Sequence, residues 1–318
     1  MKEEDVRVLL FTGELLVMKK SILRPLLVLL IVAALRPAAS MAQTGADSAK
    51  SHRSRSYFEI AVNYQSDNVY LGRKDTARQP YIIPTITYNH RSGLYLSASA
   101  AWLDHADANR IDLITLDMGY SLKKGHFTGD YWFSKYFYNK DASNVTSGIP
   151  ASLNMSNGYD LGFLKPALDL TLDISTHLDF QTGLGLEHKF TAFDDDLEIT
   201  PRIIANASTL NFYDNYYQKK RFRKQKGKTT LTGTEKITGS VTNASAFRIM
   251  DYEASLPLSY SLGSLTFSFT PSYAIPVHPS VISVTKTYSV TTIPSTTRLQ
   301  TEQLSNTFFF TAGLSWQF

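Results

Sequence analysis

Residue types that could do chemistry run throughout this 318-residue chain, but few stand at the spacing that chemistry demands. The seven histidines, at 52, 90, 105, 126, 177, 188 and 278, form neither an H-E-x-x-H pair nor another paired ligand spacing. No cysteine is present to supply a thiolate. Asp194-Asp195-Asp196 has oxygens for calcium, but no Gly and Glu follow at the offsets of a calcium loop, so a charged turn is expected. Gly183 and Gly185 sit at strand spacing with no helix behind them, so no phosphate loop is expected. The reading is therefore a non-enzyme with no catalytic residue, cofactor or metal. Two charged groups remain. One is a set of carboxylates, Glu59, Asp117, Asp130, Asp169, Asp173, Asp179, Glu187, Glu198, Asp251 and Glu253, with Arg202 among them. The other is the dense basic run of Lys219, Lys220, Arg221, Arg223, Lys224, Lys226 and Lys228.

The elements that must carry these groups show in a period of two. Near the end of the chain Phe308, Phe310, Ala312, Leu314, Trp316 and Phe318 are apolar, while Thr307, Thr311, Gly313, Ser315 and Gln317 are small or polar. Only Phe309 breaks the pattern. Such alternation is a strand with one greased face and one wet face. Leu168, Leu170, Leu172 and Ile174 alternate the same way with Asp169, Thr171 and Asp173. Strands are predicted at 56–65, 80–90, 93–103, 110–121, 126–138, 156–164, 167–175, 177–189, 197–212, 249–262 and 264–276, followed by the terminal strand. Ser156-Asn157-Gly158 is read as a turn leading into a strand.

The connections sort by length. Short turns at 91–92, 122–125, 165–166, 190–196 and 263 fall at one end. Longer loops at 66–79, 104–109, 139–155, 213–248 and 277–304, with a tight link near 176, fall at the other. That asymmetry belongs to transmembrane barrels, and an open sheet edge in lipid would leave backbone groups unpaired. The fold expected is all-β, an antiparallel up-and-down transmembrane β-barrel of about 12 strands over 56–318, with 10 and 14 left open.

With the apolar faces in lipid, the carboxylates named above face a lumen and Arg202 is its clear cation. A carboxylate row in a polar channel favours cations. The competing reading is that these groups wet a plugged interior or pair with loop cations, because a small barrel is filled by its own side chains. The basic run falls in an outer loop. There it grips lipopolysaccharide phosphates, with Arg binding bidentately, folds back onto the acidic lumen, or is simply solvated. It also dominates the net charge of +4, so nucleic acid is not an expected partner.

The N-terminal region reads as a targeting segment. Met18-Lys19-Lys20 opens a basic stretch, Leu26 to Leu35 is apolar, and Ser40-Met41-Ala42 offers small residues for cleavage. Residues 18–42 are read as a secretory signal peptide, too short in its apolar part for a spanning helix. Residues 1–17 are read as a mis-assigned extension, and 43–55 as a disordered segment ahead of the barrel.

Two resemblances follow from these residues. Ser156-Asn157-Gly158 resembles the end of the H-x-S-N-G motif of the outer-membrane phospholipase, but Asn154 stands where that family has its histidine, and a serine without a base is no nucleophile. The terminal strand, through Phe310, Leu314, Trp316 and Phe318, resembles the C-terminal Phe signal of bacterial outer-membrane β-barrel proteins. The chain as a whole is similar to uncharacterised porin-type members of that group. The resemblance implies the outer membrane of a Gram-negative cell, contact with outer-membrane lipid, and the barrel-assembly machinery as a partner. The function expected is a passive channel for small polar solutes with weak cation preference. A non-conducting structural or surface-binding barrel is the alternative, and the oligomeric state is left open.

Overall fold

The computed structural model describes residues 55–74, 78–105, 108–142, 145–216, 229–230, 233–288 and 294–318. The leader region, the segment 43–54 and the basic run Lys219–Lys228 lie outside them. In chain order the strands are β1 (Tyr57–Gln65), β2 (Val69–Tyr70), β3 (Arg73–Lys74), β4 (Tyr81–Asn89), β5 (Leu94–His105), β6 (Ala108–Lys124), β7 (Phe127–Tyr138), β8 (Ala151–Tyr159), β9 (Lys165–Ile174), β10 (Leu178–Glu187), β11 (Phe190–Ala192), β12 (Leu197–Ile199), β13 (Arg202–Ser208), β14 (Thr229–Thr230), β15 (Gly233–Val241), β16 (Arg248–Ser255), β17 (Leu258–Leu262), β18 (Leu265–Pro276), β19 (Val281–Tyr288), β20 (Thr296–Thr301) and β21 (Thr307–Gln317). One short helix, α1, spans Asn211–Tyr216.

Twelve of these strands form a closed antiparallel barrel: β1, β4 to β10, β13, β16, β18 and β21. The first and last pair from Glu59↔Gln317 to Gln65↔Thr311. Phe58 and Phe318 then exchange backbone bonds at 3.0 and 2.9 Å and extend the seam. Strands β11, β12 and β17 continue β10, β13 and β16 beyond short breaks. Pro201 and Pro257 sit at two of these breaks, where the ladder loses an N–H. Thr200 N bonds Pro257 O at 2.8 Å and Leu256 N bonds Pro271 O at 3.0 Å, which carries the wall across the gap.

The two faces of the wall are inverted relative to a soluble protein. Leu96, Met118, Leu184 and Ile203 are 55, 59, 63 and 59% exposed on the outside, while Ser134, Ser152, Asp173 and Asp179 are at most 2% exposed within. An apolar exterior around a polar interior is the pattern of a transmembrane barrel. Among the described residues no helix is long and apolar enough to cross a membrane; the strands cross.

Two expectations need correction. The sixth wall strand is β8 at 151–159, not 156–164, and the next turn is Asp160–Leu164 rather than Lys165-Pro166. Gly162, with φ 88°, and the Asp160 carboxylate, which accepts from Gly162 N at 2.7 Å, make that turn. Ser156-Asn157-Gly158 thus lies inside a strand, not in a turn. The long loops also carry structure of their own: β14, β15, β19 and β20 form a second, four-stranded sheet.

Candidate functional site: the lumen and its plug

The loop after β1 folds inward instead of standing in solvent. Its strands β2 and β3 join through Leu71 and Gly72, with φ 49° and 69°, the paired positive values of a type I′ hairpin turn. The tip is tight. A Cβ on Gly72 would lie 2.8 Å from the Cβ of Pro276 and 2.9 Å from that of Asp251, so only glycine seats there. On one flank of the tip, the Tyr70 hydroxyl donates to Asp173 Oδ2 at 2.7 Å, and Gln181 Nε2 donates to the same carboxylate oxygen at 3.1 Å and to the Tyr70 hydroxyl. Strand β9, which carries Asp173, is the seventh wall strand of twelve. The contact therefore crosses the barrel. Burial and the facing carboxylate push the Tyr70 phenol well above its ordinary value, which keeps it a donor.

On the other flank, Arg73 is 2% exposed. Its guanidinium donates to Leu71 O at 3.1 Å, His278 O at 2.7 Å and Glu302 Oε2 at 3.2 Å. Glu302 also accepts from the Tyr213 hydroxyl at 2.6 Å and from Ser280 N at 3.0 Å. One carboxylate thus ties the hairpin, the α1 loop and the loop before β21 together. Around it Leu71, Val145, Ile149, Leu210, Phe212, Met250, Ile282 and Val284 make one apolar cluster. Four loops contribute to it, and it fills part of the long-loop end of the lumen.

Most of the carboxylates expected in the lumen are engaged in hydrogen bonds or ion pairs. Four make cross-strand pairs with serine. Ser134 Oγ donates to Asp117, Ser152 to Asp173 and Ser156 to Asp169, all at 2.6 Å, and Ser121 to Asp130 at 2.8 Å. Each pair stands in direct register on neighbouring strands, where side chains lie closest. Asp179 caps α1 instead: it accepts from Asn211 N at 2.6 Å, Phe212 N at 2.7 Å and Thr209 Oγ1 at 2.7 Å, satisfying helix donors that have no partner within the helix. Glu59 accepts from Gln317 Nε2 at 2.9 Å beside the closing seam.

A second network joins charges. Lys165 bonds Glu187 at 2.7 Å, Arg202 pairs with Asp169 and lies 3.9 Å from Glu187, and Lys189 pairs with Glu198. Lys165, read as part of a turn, is therefore a further cation in this network. Asp251 and Glu253 differ from the rest. Asp251 is 1% exposed, yet neither of its oxygens accepts a hydrogen bond among the described residues. Cavities of about 630 Å³ and 400 Å³ open at the short-turn end. Tyr57, Asp130 and Ser156 line the first; Lys165, Glu187 and Glu198 line the second.

The sequence reading missed Tyr70, Arg73, Asp112, Tyr213 and Glu302. Asp112, buried beside Arg110 at 2.6 Å and the Tyr81 hydroxyl at 3.0 Å, carried no parity signal, because only the bulge opposite Ala101/Trp102 brings it to the same face as Asp117. Ser156 donates to Asp169, and Asn154, in the place of the phospholipase histidine, accepts from Thr171 Oγ1 at 3.0 Å.

No family model and no curated protein matches the sequence. Among solved structures, OccAB3 of Acinetobacter baumannii is similar at 9% identity over 83% of this chain and 99% of its own, with a TM-score of 0.30. A bacterial polysaccharide outer membrane secretin matches at 7% identity over 83% and 98%, TM-score 0.36. A mutant of the Rh. blastica porin matches at 9% identity over 83% and 98%, TM-score 0.26. All three scores fall under 0.5, so closure and strand number rest on the pairings above.

Proposed function

We propose that this chain is an outer-membrane β-barrel that is closed to free diffusion by its own loops. The observation that carries this reading is the Tyr70 hydroxyl seated on Asp173 across the lumen, within a loop core that also buries Arg73. The apolar wall supports the location. The short-turn end stays accessible through its cavities, so solute entering there meets a polar, dead-ended chamber.

Passive diffusion of small polar solutes with mild cation preference is the second reading. The acidic lining favours it, and it requires the hairpin at 66–79 to leave the lumen. Planar-bilayer recording separates the two. The closed reading expects no discrete conductance steps from the intact protein and clear steps after deletion of 67–78. Sustained steps from the intact protein at low voltage would overturn it and restore the channel reading. Fractionation of intact cells tests the location.

A further inference from the structure

The carboxyl pair beneath the hairpin has a chemistry of its own. A β-bulge opposite Asn206/Ala207 turns both Met250 and Asp251 inward, and each is 1% exposed. Gly72 of the hairpin packs directly over Asp251. The nearby Arg73 guanidinium is committed elsewhere, to Leu71 O, His278 O and Glu302, and Asn206 stands opposite across the ladder. Neither reaches the Asp251 oxygens at hydrogen-bond geometry, although the Asn206 amide and the Arg73 charge both lie near enough to favour the ionised carboxylate. Two residues along the same face, Glu253 lies close enough to repel Asp251 electrostatically. The cations of this stretch are already held: Lys165 by Glu187, and Arg202 by Asp169 and Glu187. Asp251 and Glu253 thus form no salt bridge among the described residues, although the Arg73 and Arg202 charges reach them from a distance.

Burying an ionised carboxylate without a partner is costly unless something supplies the opposite charge. We propose that Asp251 and Glu253, with the amide oxygen of Asn206, bind one divalent cation at the base of the plug. The donors are all oxygens, which selects a hard ion. They come from two strands at a bulge, an irregular frame that suits Ca²⁺ better than the strict octahedron of Mg²⁺. No group of three or more His, Cys, Asp or Glu side chains gathers at any one place among the described residues, so backbone oxygen or water completes the shell. Two carboxylates against one divalent ion leave the site neutral, and the ion sits where the hairpin tip meets the wall. The inference is independent of whether the barrel conducts.

The test is equilibrium dialysis with ⁴⁵Ca²⁺ on the full mature chain refolded in detergent, at fixed ionic strength. One Ca²⁺ per chain is expected, competed only weakly by Mg²⁺. The Asp251→Asn/Glu253→Gln double variant should bind ~10-fold or more weakly, because affinity follows ligand charge. Its fold is checked by heat-modifiable migration on gels; if it fails to assemble, Glu253→Gln alone carries the comparison. No Ca²⁺ bound to the wild type, or binding undiminished in a folded variant, overturns the proposal.

Discussion

Tyr70 and Asp173 stand on opposite sides of the barrel and meet through one hydrogen bond of 2.7 Å. Tyr70 belongs to the loop that follows the first wall strand, and Asp173 closes the outward run of the seventh. A lumenal acid that would set an ion potential in an open pore here holds the inward-folded hairpin. Ser152 and Gln181 donate to the same carboxylate, so the seat draws on three wall strands.

Tyr70→Phe should loosen the plug by ~1.5–3 kcal/mol, the range for a hydrogen bond to a charged group. The phenol's folded pKa is raised by burial and by Asp173. A raised value means that its contribution is complete below the unfolded pKa of ~10 and fades as pH climbs above it. Urea unfolding of wild type and Tyr70→Phe should therefore differ most at pH 7–9, and the gap should narrow above pH ~10. A gap that widens with alkalinity would contradict the donor role.

Glu302→Ala removes the partner of a buried guanidinium together with the acceptor used by Tyr213 and Ser280. Breaking a buried pair from one side costs ~3–5 kcal/mol. Limited proteolysis of the refolded barrel should then cut within the long loops, while the heat-modifiable wall persists. Unchanged loop protection would show that Arg73 is held adequately without its carboxylate.

The wall was legible because a period of two survives any error in strand ends. Leu168 to Ile174 alternate whether β9 starts at 165 or 167. Register was not legible. The pairing of Ser152 with Asp173 and Ser156 with Asp169 depends on turning at Asp160–Leu164, and the Lys165-Pro166 dipeptide mimics a turn although Pro166 lies within β9, opposite Leu186. The plug was hidden for a different reason. Tyr70, Arg73 and Glu302 carry no periodic signal, and their contacts span up to 229 positions of sequence. A polar loop of Ser, Thr and Arg reads the same whether it is solvated or folded into a mouth.

Leu170 faces outward on β9, between Met155 and Thr182 on its neighbours, while Thr171 faces the lumen and bonds Asn154. Leu170→Arg should destabilise the barrel by ~2–4 kcal/mol near the bilayer midplane. Thr171→Arg should cost far less. Reversible unfolding in lipid vesicles gives both values, and equal costs would mean that the faces are misassigned.

Deleting Phe318 removes its two backbone bonds to Phe58 and the stacking of the two rings at 6.0 Å. The seam between β1 and β21 then loses its last rung, and the C-terminal Phe pattern is gone. Cells expressing the deletion should accumulate less heat-modifiable barrel than wild type. Replacing Phe318 with Tyr should preserve most assembly, since the ring and backbone remain. Wild-type levels after deletion would rule out a role in assembly.

Selectivity is the sharpest test of the lumen, and it needs the plug out of the way. In a variant lacking 67–78, Asp173 loses the Tyr70 donor and Asp251 loses its cover, so both join Glu187 and Glu253 along the open path. Lys165 and Arg202 offset part of that charge. A mild cation preference is expected at low salt. It should fade toward 1 M, where the Debye length falls to ~3 Å. Neutralising Asp173, Glu187, Asp251 and Glu253 together should abolish it. Because the run Lys219 to Lys228 carries seven cations, the same reversal-potential measurement is repeated without that segment. Anion selectivity that persists in both forms would mean that Lys165 and Arg202, not the carboxylates, govern the path.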